Sequence, residues 1–171
     1  LGFGLYDASR YEDSLSVREA ELSMARRHGA AERNMLAVLG NLATTYDSLG
    51  RHEEALPLRR SAYSGYAKFL GNEHAETLCE ANNYSHTLFS LRRFEETKSL
   101  LRKNMPVARR VFGENDETTL RMRWIYAMSL YENNDATLDD LREAVTTLED
   151  TDRIARRVLG SAHPLAKPAQ S

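Results

Sequence analysis

The chain has 171 residues, enough for a sizeable core, with 28% charged residues and a formal net charge of −2. That balance creates no global field toward nucleic acid or an anionic membrane. Cys79 is the single cysteine, which excludes an internal disulfide; no apolar run is long enough to span a bilayer, and no basic-then-apolar leader opens the sequence. A reducing, cytoplasmic compartment is the resulting expectation.

Residues 1–9 read as the end of a first helix whose beginning is missing, and the opening at Leu1 marks a fragment or trimmed chain. A second helix is predicted from about Tyr11 to His28, stopped by Gly29. Leu36, Leu39, Leu42, Ala43, Tyr46 and Leu49 then recur at helical spacing and predict a helix over 36–49 that ends at Gly50. Its partner runs from about His52 to Leu70 and stops at Gly71, the residue best suited to a left-handed C-terminal cap. Pro57 falls slightly late in the first turn of that helix, so a small distortion is expected.

The same pattern returns. Asn41, Gly50, Glu53, Leu58 and Gly71 meet Asn83, Arg92, Glu95, Leu100 and Gly113 at a constant offset of 42. A period in this range signals stacked repeats, each unable to bury its apolar face alone. The third copy predicts a helix over 94–112 with Pro106 inside it, where the missing N–H and a clash with the Arg102 carbonyl predict a kink. From Gly113 to Gly160 the spacing grows to 47, so five residues are inserted, most simply around 133–140. Thr137 and Asp140 have capping-box spacing, and the apolar stripe after them predicts a helix reaching Leu159, about 7 Å longer than its counterparts. Gly160 to Pro164 repeats the link between copies, and 165–171 reads as a disordered tail.

In the second copy Asn41-Leu42-Ala43-x-x-Tyr46-x-x-x-Gly50-Arg51-x-Glu53-Glu54-Ala55-x-Pro57-Leu58, followed by Leu70-Gly71-x-x-His74, resembles the 42-residue tetratricopeptide repeat of kinesin light chains. The resemblance implies an all-α, right-handed superhelical solenoid of antiparallel helix pairs over 1–164. Its copies are a partial one over 1–34 and then 36–77, 78–119 and 120–163. Neither end carries an obvious polar capping helix, which implies a longer parent or self-association through the uncapped ends. Kinesin light chains also carry a heptad coiled coil, and no heptads occur here, so the resemblance does not extend to a motor role.

In such stacks the first helix of each pair lines the concave face. Carried over by position, the lining includes Asn41, Thr44, Asp47 and Ser48 in the second copy, then Asn82, Asn83, His86, Phe89 and Ser90 in the third. The fourth copy adds Arg121, Trp124, Ile125, Met128, Tyr131 and Glu132. An Asn amide offers both donors and an acceptor to a peptide backbone, while aromatics and Met offer apolar pockets. The implied function is a non-enzymatic adaptor that holds an extended peptide of a protein partner. Its candidate contacts are Asn41, Thr44, Asn82, Asn83, His86, Phe89, Arg121, Trp124, Met128 and Tyr131. Against this stands packing of Trp124, Ile125 and Tyr131 on the last helix.

Other features point to no chemistry. The lysines Lys68, Lys98, Lys103 and Lys167 avoid the predicted groove helices, which argues against a carboxylate clamp of the chaperone-binding kind. Arginine pairs recur at Arg26-Arg27, Arg59-Arg60, Arg92-Arg93, Arg109-Arg110 and Arg156-Arg157. Three of these pairs fall in last helical turns, where cations complement the helix dipole, and interleaved acids disfavour an RNA-binding ridge. His74 and His163 stand at links between copies and read as caps. No two histidines have helical zinc spacing, and no nucleophile, base and orienter cluster emerges, so neither a cofactor nor a metal is expected.

Overall fold

The computed structural model describes residues 2–166, with side chains described for 12–165. In chain order the helices are α1 (Gly2–His28), α2 (Glu32–Ser48), α3 (His52–Phe69), α4 (Ala75–Ser90), α5 (Phe94–Val111), α6 (Glu117–Tyr131) and α7 (Leu138–Val158), then a short 3-10 helix, Pro164–Ala166. No strand occurs among the described residues. The fold is an all-α helical repeat solenoid. Between Gly71 and Asn72 the chain divides into two compact units.

In the first unit α2 packs between α1 and α3. Leu15, Leu22 and Leu42 form a buried cluster against which Val38, Leu39, Tyr46 and Leu58 rest. Each such leucine contributes about 1.5–3 kcal/mol through burial. The Tyr46 hydroxyl donates to Glu19 at 2.8 Å, tying α2 to α1 at the rim.

In the second unit α5 packs on both α4 and α6, and α7 packs on α6. The first helices, α4 and α6, also touch each other, so they form a continuous inner layer. Leu78, Leu88, Leu101, Leu120, Met122 and Leu130 are the large apolar side chains under 2% exposed. Leu120 and Ala155 anchor a further cluster that Ile154, Leu159 and Leu165 cover.

The punctuation follows backbone chemistry. Gly29, Gly50, Gly71, Gly113 and Gly160 all take a left-handed φ just past a helix, as the spacing predicts. Arg92 occupies the position of Gly50 in the third copy and takes the same conformation, φ 56, with a side chain attached. Its guanidinium lies 5.1 Å from the Phe94 ring centroid and 3.5 Å from Glu132, contacts that offset the strain. His74 Nδ1 accepts from the Glu76 N–H at 3.2 Å and His163 Nδ1 from the Leu165 N–H at 3.3 Å, so both histidines cap.

Three expectations need correction. The turn anticipated near residue 10 does not form, and α1 runs unbroken from Gly2 to His28. Ser9 stands where Gly50 ends the equivalent helix, but Arg92 turns at the same position of the third copy, so residue type there does not account for the unbroken helix. The last helix gains less than the insertion offered. α7 has 21 residues against 18 in α5, about 4.5 Å more at the helical rise per residue. The connection before it takes up most of the remainder, so the expected 7 Å was too long. Finally, the tail expected from residue 165 starts as ordered structure, since Leu165 packs on the Leu120 cluster. Residues 167–171 lie outside the described residues.

The capping box at α7 is present in both directions. The Asp140 N–H donates to Thr137 Oγ1 at 3.1 Å, and the Thr137 N–H to Asp140 Oδ2 at 2.9 Å. Pro106 sits inside α5, which continues through it to Val111.

Candidate functional site

The inner layer of the second unit is built from α4 and α6. Asn82, Asn83, His86 and Phe89 share a face of α4 because they recur every three or four residues, and Arg121, Trp124, Met128 and Tyr131 do the same on α6. Between the early turns of the two helices lies a cavity of about 260 Å3, lined by Cys79, Asn82, Asn83, Glu117, Thr118 and Arg121. Three of the candidate contacts, Asn82, Asn83 and Arg121, therefore meet at one place.

Asn82 is 8% exposed, and its Oδ1 has no hydrogen-bond partner among the described residues. Its Nδ2 donates to Asn83 Oδ1 over a long 3.4 Å. The pair thus holds one unmet acceptor, itself buried, and, on the half-buried Asn83, an amide nitrogen with no acceptor among the described residues. Burying an amide oxygen without a partner costs about 1–3 kcal/mol. Arg121 is held at the mouth by its own helix, donating through Nε at 3.0 Å and Nη2 at 2.7 Å to Glu117 Oε1. Cys79 is exposed at the rim. Partial burial, followed by the charges of Asp116, Glu80 and Glu76, pushes its thiol pKa up, so it is a neutral thiol and a poor nucleophile.

About two turns further along, Phe89 meets Trp124 edge-on with ring centroids 6.1 Å apart, and Phe94 joins at 5.7 Å from Phe89. This is the favoured T-shaped geometry for aromatic rings. Trp124 therefore makes a ring contact with α4 and is half-buried, while Ile125 is 3% exposed. Met128 is buried at 9%, Tyr131 stands out at 59%, and His86 is exposed between the two ends.

The two candidates of the first unit have different surroundings. Asn41 is exposed on α2. Thr44 Oγ1 accepts from Arg59 Nη2 at 2.9 Å and donates to the Gly40 carbonyl at 3.0 Å. Asp47, which the sequence placed on the lining, takes Nε and Nη2 of the same arginine on Oδ2 at 3.1 and 3.0 Å. His52 Nδ1 lies 3.0 Å from its other oxygen. Arg59 itself is 3% exposed. Sequence reasoning listed it only as one of the recurring arginine pairs; its place in mid-helix, away from the last turn where a cation complements the helix dipole, was the available signal.

No group of three or more His, Cys, Asp or Glu able to hold a metal occurs among the described residues, and none of the described helices is long and apolar enough to cross a membrane.

Residues 35–76 and 81–117 match the tetratricopeptide repeat family model. No curated protein matches the sequence significantly. Among solved structures, the chain is similar to the nearly identical TPR-like repeats of a Podosopora anserina protein assigned as a kinesin light chain. A single-substitution form of that protein superposes with a TM-score of 0.76 at 21% identity, covering 92% of this chain and 72% of that one. The form without the substitution gives 0.74 at the same identity and coverage. BtubC (BKLC) from P. vanneervenii gives 0.56 at 16% identity over 95% of this chain and 78% of that one. The helix pairs, the cap glycines and these matches agree: residues 35–76 and 81–117 carry tetratricopeptide repeats, and the fold over most of the chain is that of solved TPR-like repeat structures.

Proposed function

We propose that the α4–α6 face holds an extended peptide segment of a partner protein, so that the chain serves as an interaction scaffold and not as an enzyme. Tetratricopeptide repeats generally mediate protein–protein interaction, and one observation supports this particular face. The unmet amide pair beside the cavity and the Phe89–Trp124 ring pair lie on the same helix faces. Asn82 and Phe89 are seven residues apart on α4, roughly 10 Å at the helical rise, which is about three residues of extended chain. A peptide carbonyl fits the Asn83 amide nitrogen and accepts from it. An apolar side chain three residues on then meets the aromatic rings.

The experiment is capture from a peptide library by the purified chain and by an Asn83→Ala, Phe89→Ala double variant. Capture should weaken by about 2–4 kcal/mol, the sum of one buried polar contact and one aromatic contact. Unchanged capture by the double variant removes the assignment.

A second reading, association through an exposed end, draws on α7. Leu138 is 65% exposed and Val145 49%, one above the other at seven-residue spacing. A mass that rises with concentration in light scattering, without peptide capture, favours that reading.

A further inference from the structure

The second unit has another cavity, away from the α4–α6 face. It is a cleft of about 370 Å3 on the side of α5 and α7, with Met105, Pro106 and Arg109 on one wall and Glu143, Asp150 and Arg153 on the other. Arg123 and Tyr126 of α6 form part of its lining. Its volume is at the lower end of the range for small-molecule sites.

The charges that line it are settled among themselves, except one. Arg109 binds Glu114 at the rim. Tyr126 donates to Glu143 at 2.9 Å and accepts from Arg102 at 3.1 Å. Arg153 binds Asp150. The exception is Arg123, whose side chain is only 16% exposed. It makes no hydrogen bond to the described residues, and its one ion pair is a 3.9 Å approach to the Asp150 carboxylate that Arg153 already holds. A guanidinium carries five donors, and none of those of Arg123 is among the buried atoms without a partner, so they are open to the cleft.

The repeat makes this arginine anomalous. At the offset of 42, Arg123 corresponds to Ala81 and Leu39. Ala81 is 0% exposed, and Leu39 packs on the apolar cluster of the first unit. A position that is apolar filling in two copies is a poorly paired cation in the third, and it faces a cleft. Pro106, unexplained by the sequence, is in the cleft wall.

We propose that this cleft binds a small carboxylate-bearing molecule, with Arg123 as the group that receives the carboxylate. The open donors suit an anion that can take two parallel N–H groups, which a carboxylate does and chloride does not. Glu114, Glu143 and Asp150 also line the cleft and repel a dianion, so the monoanionic carboxylate is favoured over phosphate. The proposal is independent of peptide binding on the α4–α6 face.

The test is an NMR titration of the full chain with sodium acetate, using sodium chloride and sodium phosphate at matched ionic strength as controls. Acetate should shift the Arg123 Nε–H resonance saturably, together with backbone resonances around Arg102 to Arg109. In Arg123→Gln the dissociation constant should rise by about tenfold or more, the loss of one charge-assisted contact. Arg123→Lys, which keeps the charge but not the fork, should fall between the two and serves if the Gln variant does not fold. Arg142→Gln, on an exposed pair, should bind like the parent. An equal saturable response to chloride means an adventitious ion only and overturns the proposal. So does a response to acetate that persists in Arg123→Gln.

Discussion

Two arginines, one in each unit, teach opposite lessons. Arg59 is 3% exposed and surrounded by acceptors: both Asp47 contacts, Thr44 Oγ1, and the Gly40 carbonyl at 3.3 Å. Arg123 is partly enclosed, its side chain 16% exposed against 4% for Arg59, and its one ion pair is the 3.9 Å approach to Asp150. A buried cation with its partners in place cross-links two helices and is complete. A half-enclosed cation without them keeps its donors open to something that comes from outside. Burial alone does not distinguish a structural charge from a functional one; the account of its donors does.

The comparison is broken most severely at Asp47. Asp47→Ala leaves Arg59 buried and uncompensated, and should cost about 3–5 kcal/mol of stability in urea denaturation. Arg123→Met should leave stability within about 1 kcal/mol of the parent or raise it, because no hydrogen bond is lost. Equal losses from the two substitutions would erase the distinction. A smaller effect lies at the start of α7, whose orientation fixes Asp150 beside Arg123. Thr137→Ala removes the cap and should cost about 1 kcal/mol, read in the same denaturation. The smallest is pH. The Thr137 hydroxyl, then its backbone N–H, hold the Asp140 carboxyl below its ordinary pKa. The cap's contribution is therefore full above the unfolded value of about 4 and is lost as pH falls through the lower folded value. Amide protection factors in the first turn of α7, taken relative to intrinsic exchange at each pH, should fall below about pH 4 and stay level between about pH 5 and 8.

How much of this was legible in the sequence depends on what each residue answers to. The helices, their cap glycines and the Thr137–Asp140 box depend on local spacing, and the offset of 42 made them visible twice over. The unbroken α1 was not visible. Ser9 continues a helix at the position where Arg92, also not a glycine, ends one, so residue type there does not decide whether the chain turns. The choice of α4 and α6 as a lining came from the repeat resemblance carried over by position, while the meeting of Asn82, Asn83 and Arg121 at one cavity is a finding of the structure. The unmet oxygen of Asn82 and the inward grip of Arg59 on Thr44 and Asp47 did not, since both are set by side chains on other helices or by tenths of an ångström. Arg123 lies between these cases. Its mismatch with Leu39 and Ala81 was present in the alignment of the repeats, but only the enclosure gave that mismatch meaning.

The chain has a single tryptophan, Trp124, placed on the proposed peptide face. Its fluorescence during titration with a captured peptide tests the reading most directly. The account predicts a saturable change in emission whose midpoint equals the independently measured dissociation constant, and which Phe89→Ala diminishes. Peptide binding that saturates while the Trp124 emission stays constant would contradict it.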